Sequence, residues 1–393
     1  MQRREFLRTT ATVGLAASAL PGVAFAGAAT RKRFILVILR GAVDGLAVAA
    51  PLDDPDYAVA RGELALAPDE VLPLEGPFGL HPSLAWLHTQ YADGQALVAH
   101  AAATPYRERS HFDGQDVLEN GGNGGVLRDG WLARAAMSLD TSRDGNRAIA
   151  LSENLPLVLR GDTVYSSWSP SRLPGSDDDT LARLADLYTD DAFFATRLQQ
   201  ALAARDLVGA EGGRRDAGRR WQTQERDLMT AAARFLAAED GPRIAVIESG
   251  GWDTHANQGA ATGALANRLA ALDAGLAALQ GGLGEHWSDT VVAVVTEFGR
   301  TVRVNGTRGT DHGTGTVALL AGGAVAGGRV IADWPGLARH DLFEGRDLRP
   351  TTDVRVLMKG VLHDHMRVTR AALDTEVFPD SAAAAPARDL IRA

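Results

Sequence analysis

Three stretches of this chain leave little freedom in how it can fold. "RFILVILRG" (33–41), "RIAVIESGG" (243–251) and "TVVAVVTEFG" (290–299) are continuous apolar runs rich in β-branched residues. A strand with one wet face alternates apolar with polar residues. These runs do not alternate, so they predict strands covered on both faces. "QALVAHAAA" (95–103), "NRAIALSE" (146–153) and "TVALLAGGAV" (316–325) extend the set. Helical patterns lie between several of the strands. In "LANRLAALDAGLAALQGGL", Leu265, Leu269, Leu272, Leu276, Leu279 and Leu283 recur at steps of four and three. That spacing gives a helix one apolar face. The alternation implies an α/β fold: a doubly wound, mostly parallel sheet with helices on both sides. Residues 170–240 are polar, charged and helix-periodic, and predict a helical insertion, with Gly212, Gly213, Arg214 and Arg215 as a loop within it.

The N-terminus reads "MQRREFLRTTATVGLAASALPGVAFAGAA". Arg3 and Arg4 precede an uncharged, mildly apolar run that ends in Ala24-Phe25-Ala26, a small-x-small cleavage pattern. The segment resembles a twin-arginine export signal, which a receptor reads and which does not anchor the chain. The alternatives are a membrane anchor or an irregular start, but the run is short and is broken by Thr, Gly, Ser and Pro. On this reading residues 1–26 are a signal peptide and residues 27–393 form one α/β domain. The export route makes the twin-arginine translocase a partner, places the mature chain in the periplasm, and leaves that chain without a stable membrane span. Removing residues 1–26, with Arg3, Arg4 and Arg8 against Glu5, takes the formal charge from −9 to −11. An acidic surface of this kind argues against nucleic-acid binding. The chain has no cysteine. Disulfides, thiolate zinc sites and iron–sulfur clusters are therefore excluded, and any metal must be held by His, Asp, Glu, Asn or hydroxyl groups.

In an open parallel sheet, ligands bind outside the carboxyl ends of the strands. Polar residues collect there. Asp44 follows the first strand, and Ser110, His111, Asp113 and Asp116 follow the second. Asp253 and His255 follow the 243–251 run, Glu297 lies near the end of the 290–299 run, and Arg300 follows it. Asp311 and His312 lie in "GTDHGTGT", just beyond. Each has a plainer reading. Asp44 suits a turn before Gly45, Asp253 a helix cap, and Asp311-His312 a surface turn, while Arg300 suits an ion pair with Glu297. Ser110 with Asp113 suits a capping box, and equally a nucleophile or anion contact at a helix N-terminus. Taken together, oxygen and nitrogen donors with no sulfur suit a divalent ion such as Zn, Mn, Ca or Mg. Asp44, Asp253, His255, Glu297, Asp311 and His312 are the candidate metal ligands. Ser110 and Arg300 are the candidate catalytic groups.

"RGAVDGL", "YRERSHFDGQD", "GGWDTHANQG", "TEFGRT" and "GTDHGTGT…LLAGGAVAGGRVIADWPGL" together resemble the DUF1501 family, over about residues 32 to 366. That family is in turn distantly similar to the alkaline phosphatase and sulfatase superfamily. The resemblance implies an alkaline phosphatase-like sheet carrying one or two divalent metals. It places Asp44 at the first-strand ligand, Ser110 near the nucleophile, and Asp253 with His255 in the Asp/His ligand segment. Glu297 falls where an Asp–His pair usually stands, and His312 near the late histidine ligand. The chain departs from that pattern. Asp253 and His255 are two apart rather than four, Phe298 stands where an imidazole is usual, and the C/S-x-P-x-R sulfatase signature is absent. The expectation is a periplasmic metal-dependent hydrolase of phosphate, sulfate or related esters, acting on a small anionic ester. The alternative is a catalytically inactive metal-binding or assembly protein with the same fold.

Overall fold

A computed structural model describes residues 31–123, 127–139, 148–162, 165–170, 178–212 and 221–392. The expected signal, residues 1–26, lies outside the described residues. The apolar runs are strands: β1 (Arg33–Arg40), β5 (Ala96–Ala103), β6 (Ala148–Leu151), β8 (Ile244–Gly250), β9 (Thr290–Thr296) and β10 (Thr316–Ala321). The short strands β7 (Tyr165–Ser167), β11 (Val330–Ile331) and β12 (Thr352–Asp353) complete one sheet. Its order is β11-β5-β10-β9-β1-β8-β6-β7, with β12 also paired to β5. Three further strands, β2 (Ala49–Pro51), β3 (Leu72–Pro73) and β4 (Phe78–Leu80), form a small antiparallel sheet.

β1 lies between β8 and β9 and is parallel to both. Its alternate residues enter two different cores. Ile35, Val37 and Leu39 pack on one face with Leu265, Leu269, Leu272 and Leu276 of the helix Ala264–Leu283. Phe34, Leu36 and Ile38 pack on the other with Trp131 and with Leu357 and Val361 of the helix Val354–Asp364. The missing alternation in the sequence is thus explained: neither side of β1 meets water. All six leucines of the predicted face are buried. The helical middle is also present, as Asp178–Leu187, Ala192–Gly212 and Trp221–Ala237. The last of these packs on β8 and on the helix Ala264–Leu283. Gly212, expected in a loop, is the last residue of the helix Ala192–Gly212, and the rest of that expected loop, Gly213, Arg214 and Arg215, lies outside the described residues.

β10 is the exception to the parallel pattern. It runs antiparallel to both β5 and β9. It therefore starts at the edge where β1, β5, β8 and β9 finish. Residues just before β10 reach that edge from one direction, and residues just after the other strands reach it from the opposite direction. Among the described residues, no helix is long and apolar enough to cross a membrane.

Two buried histidines away from this edge report on the fold. His100, on β5, is fully buried, and its Nε2–H donates to the Ala49 carbonyl (2.8 Å) while Nδ1 accepts from the Ala101 N–H (2.7 Å). A second proton on Nδ1 would face a donor, and burial pushes the His100 pKa down to about 4. Burial does the same to His365, also down to about 4. The folded state therefore keeps both rings neutral where the unfolded chain takes up protons. Stability is complete above the unfolded histidine value and is lost as pH falls from there towards 4. In urea unfolding, the His100→Gln variant should lose about 3 kcal/mol less than the wild type between pH 6.5 and 4. Equal losses in the two proteins would show that His100 does not carry this dependence.

Candidate metal centre

The strand edge is polar because each strand hands over to a loop there. Asp253 lies three residues past β8, Glu297 directly follows β9, and His312 precedes β10. His111 opens the helix His111–Asn120 after the loop that leaves β5. Gly41, just beyond β1, lets two of these segments approach. It adopts φ +120°, and a Cβ there would lie 2.6 Å from the backbone nitrogen of Asp253. Its own N–H donates to Glu297 Oε1 (2.9 Å). Any larger residue would push the Asp253 segment off the edge.

Four side chains converge. His111 Nε2 and His255 Nε2 each lie 3.0 Å from His312 Nε2. Asp253 Oδ1 is 3.0 Å from His255 Nε2 and 3.4 Å from His312 Nε2, and Asp253 Oδ2 is 3.5 Å from His111 Nε2. The donor atoms of His111, Asp253 and His312 all lie within 4.8 Å of one another. Each imidazole is held from behind. His111 Nδ1–H donates to Glu297 Oε1 (2.8 Å), His255 Nδ1–H to Asp311 Oδ1 (3.1 Å), and His312 Nδ1–H to the Arg109 carbonyl (3.0 Å). A proton fixed on each Nδ1 leaves each Nε2 lone pair for the centre. Phe298, fully buried, stacks on the His111 ring at 4.9 Å and lies 5.4 Å from the His312 ring. The phenyl thus braces two imidazoles from the position where the sequence resemblance led one to look for another imidazole.

The electrostatics follow from these contacts. The Glu297 hydrogen bond raises the His111 pKa, against the opposing effect of burial. Burial lowers that of His312. Burial opposes ionisation of Asp253, but the Arg300 guanidinium beside it brings its pKa below the usual carboxylate range. Glu297 is also lowered despite burial, because His111, Gly41 and Gln115 all donate to it. The centre combines one carboxylate, three imidazoles and a buried guanidinium; the three imidazoles are partly buried and Asp253 is exposed.

The structure brings Asp253, His255 and His312 together and sets Glu297 and Asp311 behind the rings. Arg300 pairs with Asp253 and donates to Thr310 Oγ1 (3.1 Å), so its carboxylate partner is Asp253 and not Glu297. Asp44 is elsewhere. It is buried in an ion pair with Arg61 and accepts from Gln258 Nε2 (2.6 Å). Both contacts fall on Oδ2, and the guanidinium beside it offsets the cost of burying the charge. Ser110 is the N-cap of the helix His111–Asn120, yet its side chain makes no capping hydrogen bond. The capping box, one of the two readings of Ser110 with Asp113, is not formed: the Ser110 N–H donates to the Tyr106 hydroxyl (2.9 Å), which in turn donates to Asp113 (3.4 Å). His111 is not among the ligands expected from the sequence. Its position after a strand, in the same cluster, was the available signal.

Fold and site define an α/β protein with a His/Asp cage at the carboxyl edge of a mostly parallel sheet. The chain belongs to the DUF1501 family, described as a protein of unknown function, which it matches over residues 81–378. No curated protein matches it. Among solved structures it is similar to the phosphonate monoester hydrolase of Agrobacterium radiobacter, with 12% identity, a TM-score of 0.39, and coverage of 86% of this chain and 74% of that one. It is also similar to the PsFucS1 sulfatase from Pseudoalteromonas sp., with 14% identity, a TM-score of 0.33, and coverage of 76% of this chain and 64% of that one.

The two roles of Asp44 separate by experiment. Asp44→Ala leaves Arg61 buried without a counter-charge and should cost about 3–5 kcal/mol in urea unfolding. Zinc affinity measured on the folded fraction should stay within about threefold, since a tenfold change already corresponds to about 1.4 kcal/mol of lost interaction. A large loss of zinc affinity with little change in stability would make Asp44 a ligand.

Proposed function

We propose that this protein is a metal-dependent hydrolase of phosphate, sulfate or related esters, with one ion held by His111, Asp253, His255 and His312. The observation that carries this reading is the convergence of three imidazole Nε2 atoms and one carboxylate, each ring fixed through its other nitrogen. The donor spacing fits. Two ligands on one tetrahedral zinc ion lie about 3.3 Å apart; His312 Nε2 lies 3.0 Å from both other Nε2 atoms, and one or other Asp253 oxygen lies 3.0 to 3.5 Å from each ring, while single donor atoms of His111, Asp253 and His312 all fall within 4.8 Å of one another. Three nitrogens and one carboxylate suit zinc or manganese. Calcium and magnesium prefer oxygen-rich sites, which makes them the weaker choices from the range the sequence left open.

A divalent ion in this cage supplies Lewis-acid polarisation of an ester oxygen and an acidified water. The chain's own groups do the rest. Glu297, Asp311 and the Arg109 carbonyl hold the rings so that the ligand set is formed before an ion arrives. Arg300 holds Asp253 ionised and adds positive charge for an anionic ester. Ser110, at the N-terminus of the helix that starts with His111, supplies a hydroxyl as nucleophile or as anion contact. We assign the small anionic ester as substrate, the twin-arginine translocase as partner during export, and the periplasm as the place of action. The last two rest on Arg3-Arg4 and the apolar run that follows.

A second reading is a metal-binding protein without turnover. It is favoured by Asp44, whose carboxylate is neutralised by Arg61, so that among the described residues only one ligand cluster is formed. Metal analysis of protein exported in its native host should find about one ion per chain, and an ester panel should show turnover that Ser110→Ala lowers. One ion without Ser110-dependent turnover would support the binding protein. If no metal co-purifies and His255→Ala leaves melting in added zinc unchanged, the site assignment fails.

The carboxylate behind His111 gives a graded test. Glu297→Gln keeps the shape but weakens the acceptor, and should lower zinc affinity about 10–100-fold. His111→Ala and His312→Ala should abolish stoichiometric binding, read by metal analysis after dialysis. Full occupancy in His312→Ala would remove that residue from the ligand set.

A further inference from the structure

The His312 ring is oriented by a residue outside the converging set, and that residue is held from a distance. Its Nδ1–H donates to the carbonyl of Arg109 (3.0 Å). Arg109 has φ +65°, the left-handed region that side-chain-bearing residues rarely adopt. Its guanidinium is held on a distant segment. Its Nε donates to Asp347 Oδ2 (2.8 Å), its Nη2 pairs with Glu344, and it lies 5.8 Å from the centre of the Phe343 ring. Asp347 is completely buried and is fixed in its own segment, where its backbone exchanges hydrogen bonds with Phe343 and bridges to Thr301. The 343–347 segment is therefore an anchor, and Arg109 ties the loop that carries Ser110 and His111 to it.

We infer that Arg109 is a positioning residue for the metal centre: its side-chain latch on Asp347 and Glu344 holds its backbone in the left-handed region, and its carbonyl then fixes the tautomer of His312. This rests on the proposed metal site for its consequence, but not for its geometry. With the carbonyl in place, the His312 proton sits on Nδ1 and the Nε2 lone pair faces His111, His255 and Asp253. Without the latch the loop relaxes, the carbonyl turns away, and the ring divides between tautomers. The cost falls on metal affinity and not on the fold as a whole, because Asp347 retains Arg346 as a partner (3.1 Å).

The test compares Arg109→Ala, Arg109→Gly and Arg109→Lys in the full chain. Glycine accepts positive φ freely, so it separates the latch from backbone strain. Alanine and glycine should each lower zinc affinity about 10–100-fold, and lysine should recover part of it. Asp347→Asn should give a similar loss, and combining it with Arg109→Ala should add little. Nitrogen-15 NMR of His312 in metal-free protein gives a readout independent of any ion. The wild type should show the Nδ1–H tautomer, and Arg109→Ala a mixture. Wild-type zinc affinity together with an unchanged His312 tautomer in Arg109→Ala overturns the inference. A glycine variant that behaves as wild type also overturns the latch, leaving only backbone conformation. If the wild type binds no zinc, the metal reading fails, and the tautomer comparison still decides the role of Arg109. Should Arg109→Ala not fold, Asp347→Asn breaks the same contact from the other side.

Discussion

Parallel pairing of β1 with both β8 and β9 is the constraint on which the centre depends. The register sets Leu39 opposite Ser249 and Thr296, so the three strands finish at one level. Whatever follows them in sequence is delivered to one edge. Burial on both faces makes that register hard to slip, because a one-residue shift would exchange the two cores of β1. The Asp253 segment and Glu297 then meet across Gly41, which is small enough for the backbone of one and the side chain of the other to reach it.

The same edge tolerates charges that would elsewhere be expensive. Glu297 is fully buried, and a carboxylate there costs several kcal/mol unless it is satisfied. Gly41, His111 and Gln115 donate to one of its oxygens and the Thr296 hydroxyl to the other. Arg300 is buried against Asp253 and Thr310. Asp44, Arg61, Gln258, Thr254 and Thr310 form a neighbouring network, in which Gln258 donates to Asp44 and accepts from both threonines. Thr310 also accepts from Arg300, so the structural ion pair and the His/Asp cage share one hydrogen-bonded chain. That continuity explains how two carboxylates with similar sequence settings, Asp44 and Asp253, serve different purposes. Asp44 meets a cation from its own chain, whereas Asp253 meets three imidazoles and remains two-fifths exposed.

Much of the fold was legible because it depends on period and burial, which are local properties of a sequence. The unbroken apolar runs marked β1, β8 and β9, and the leucine spacing marked the helix Ala264–Leu283 within a residue. The direction of β10 was not legible. An apolar run has no orientation, and only pairing with β5 and β9 reveals that it enters the sheet from the far end. His312 reaches the centre because of that reversal. His111 was likewise hidden. One imidazole in a stretch holding Ser110, Asp113 and Asp116 stands out only when the first turn of its helix is placed against Glu297 and Phe298. Arg109 was less visible still, since its part is played by a backbone carbonyl and a contact 238 residues away.

The sequence alone determined the α/β architecture, the absence of sulfur ligands, and the gathering of Asp, His and Glu residues after strands. These follow from hydrophobic period and from composition, which need no knowledge of distance. Tertiary structure decided which of those residues converge. Asp44 and Asp253 each follow an apolar strand and differ little in sequence setting. Their fates differ because Arg61 folds over one, while His111, His255 and His312 close around the other. Those contacts join segments up to about two hundred residues apart, and packing of the whole sheet sets them.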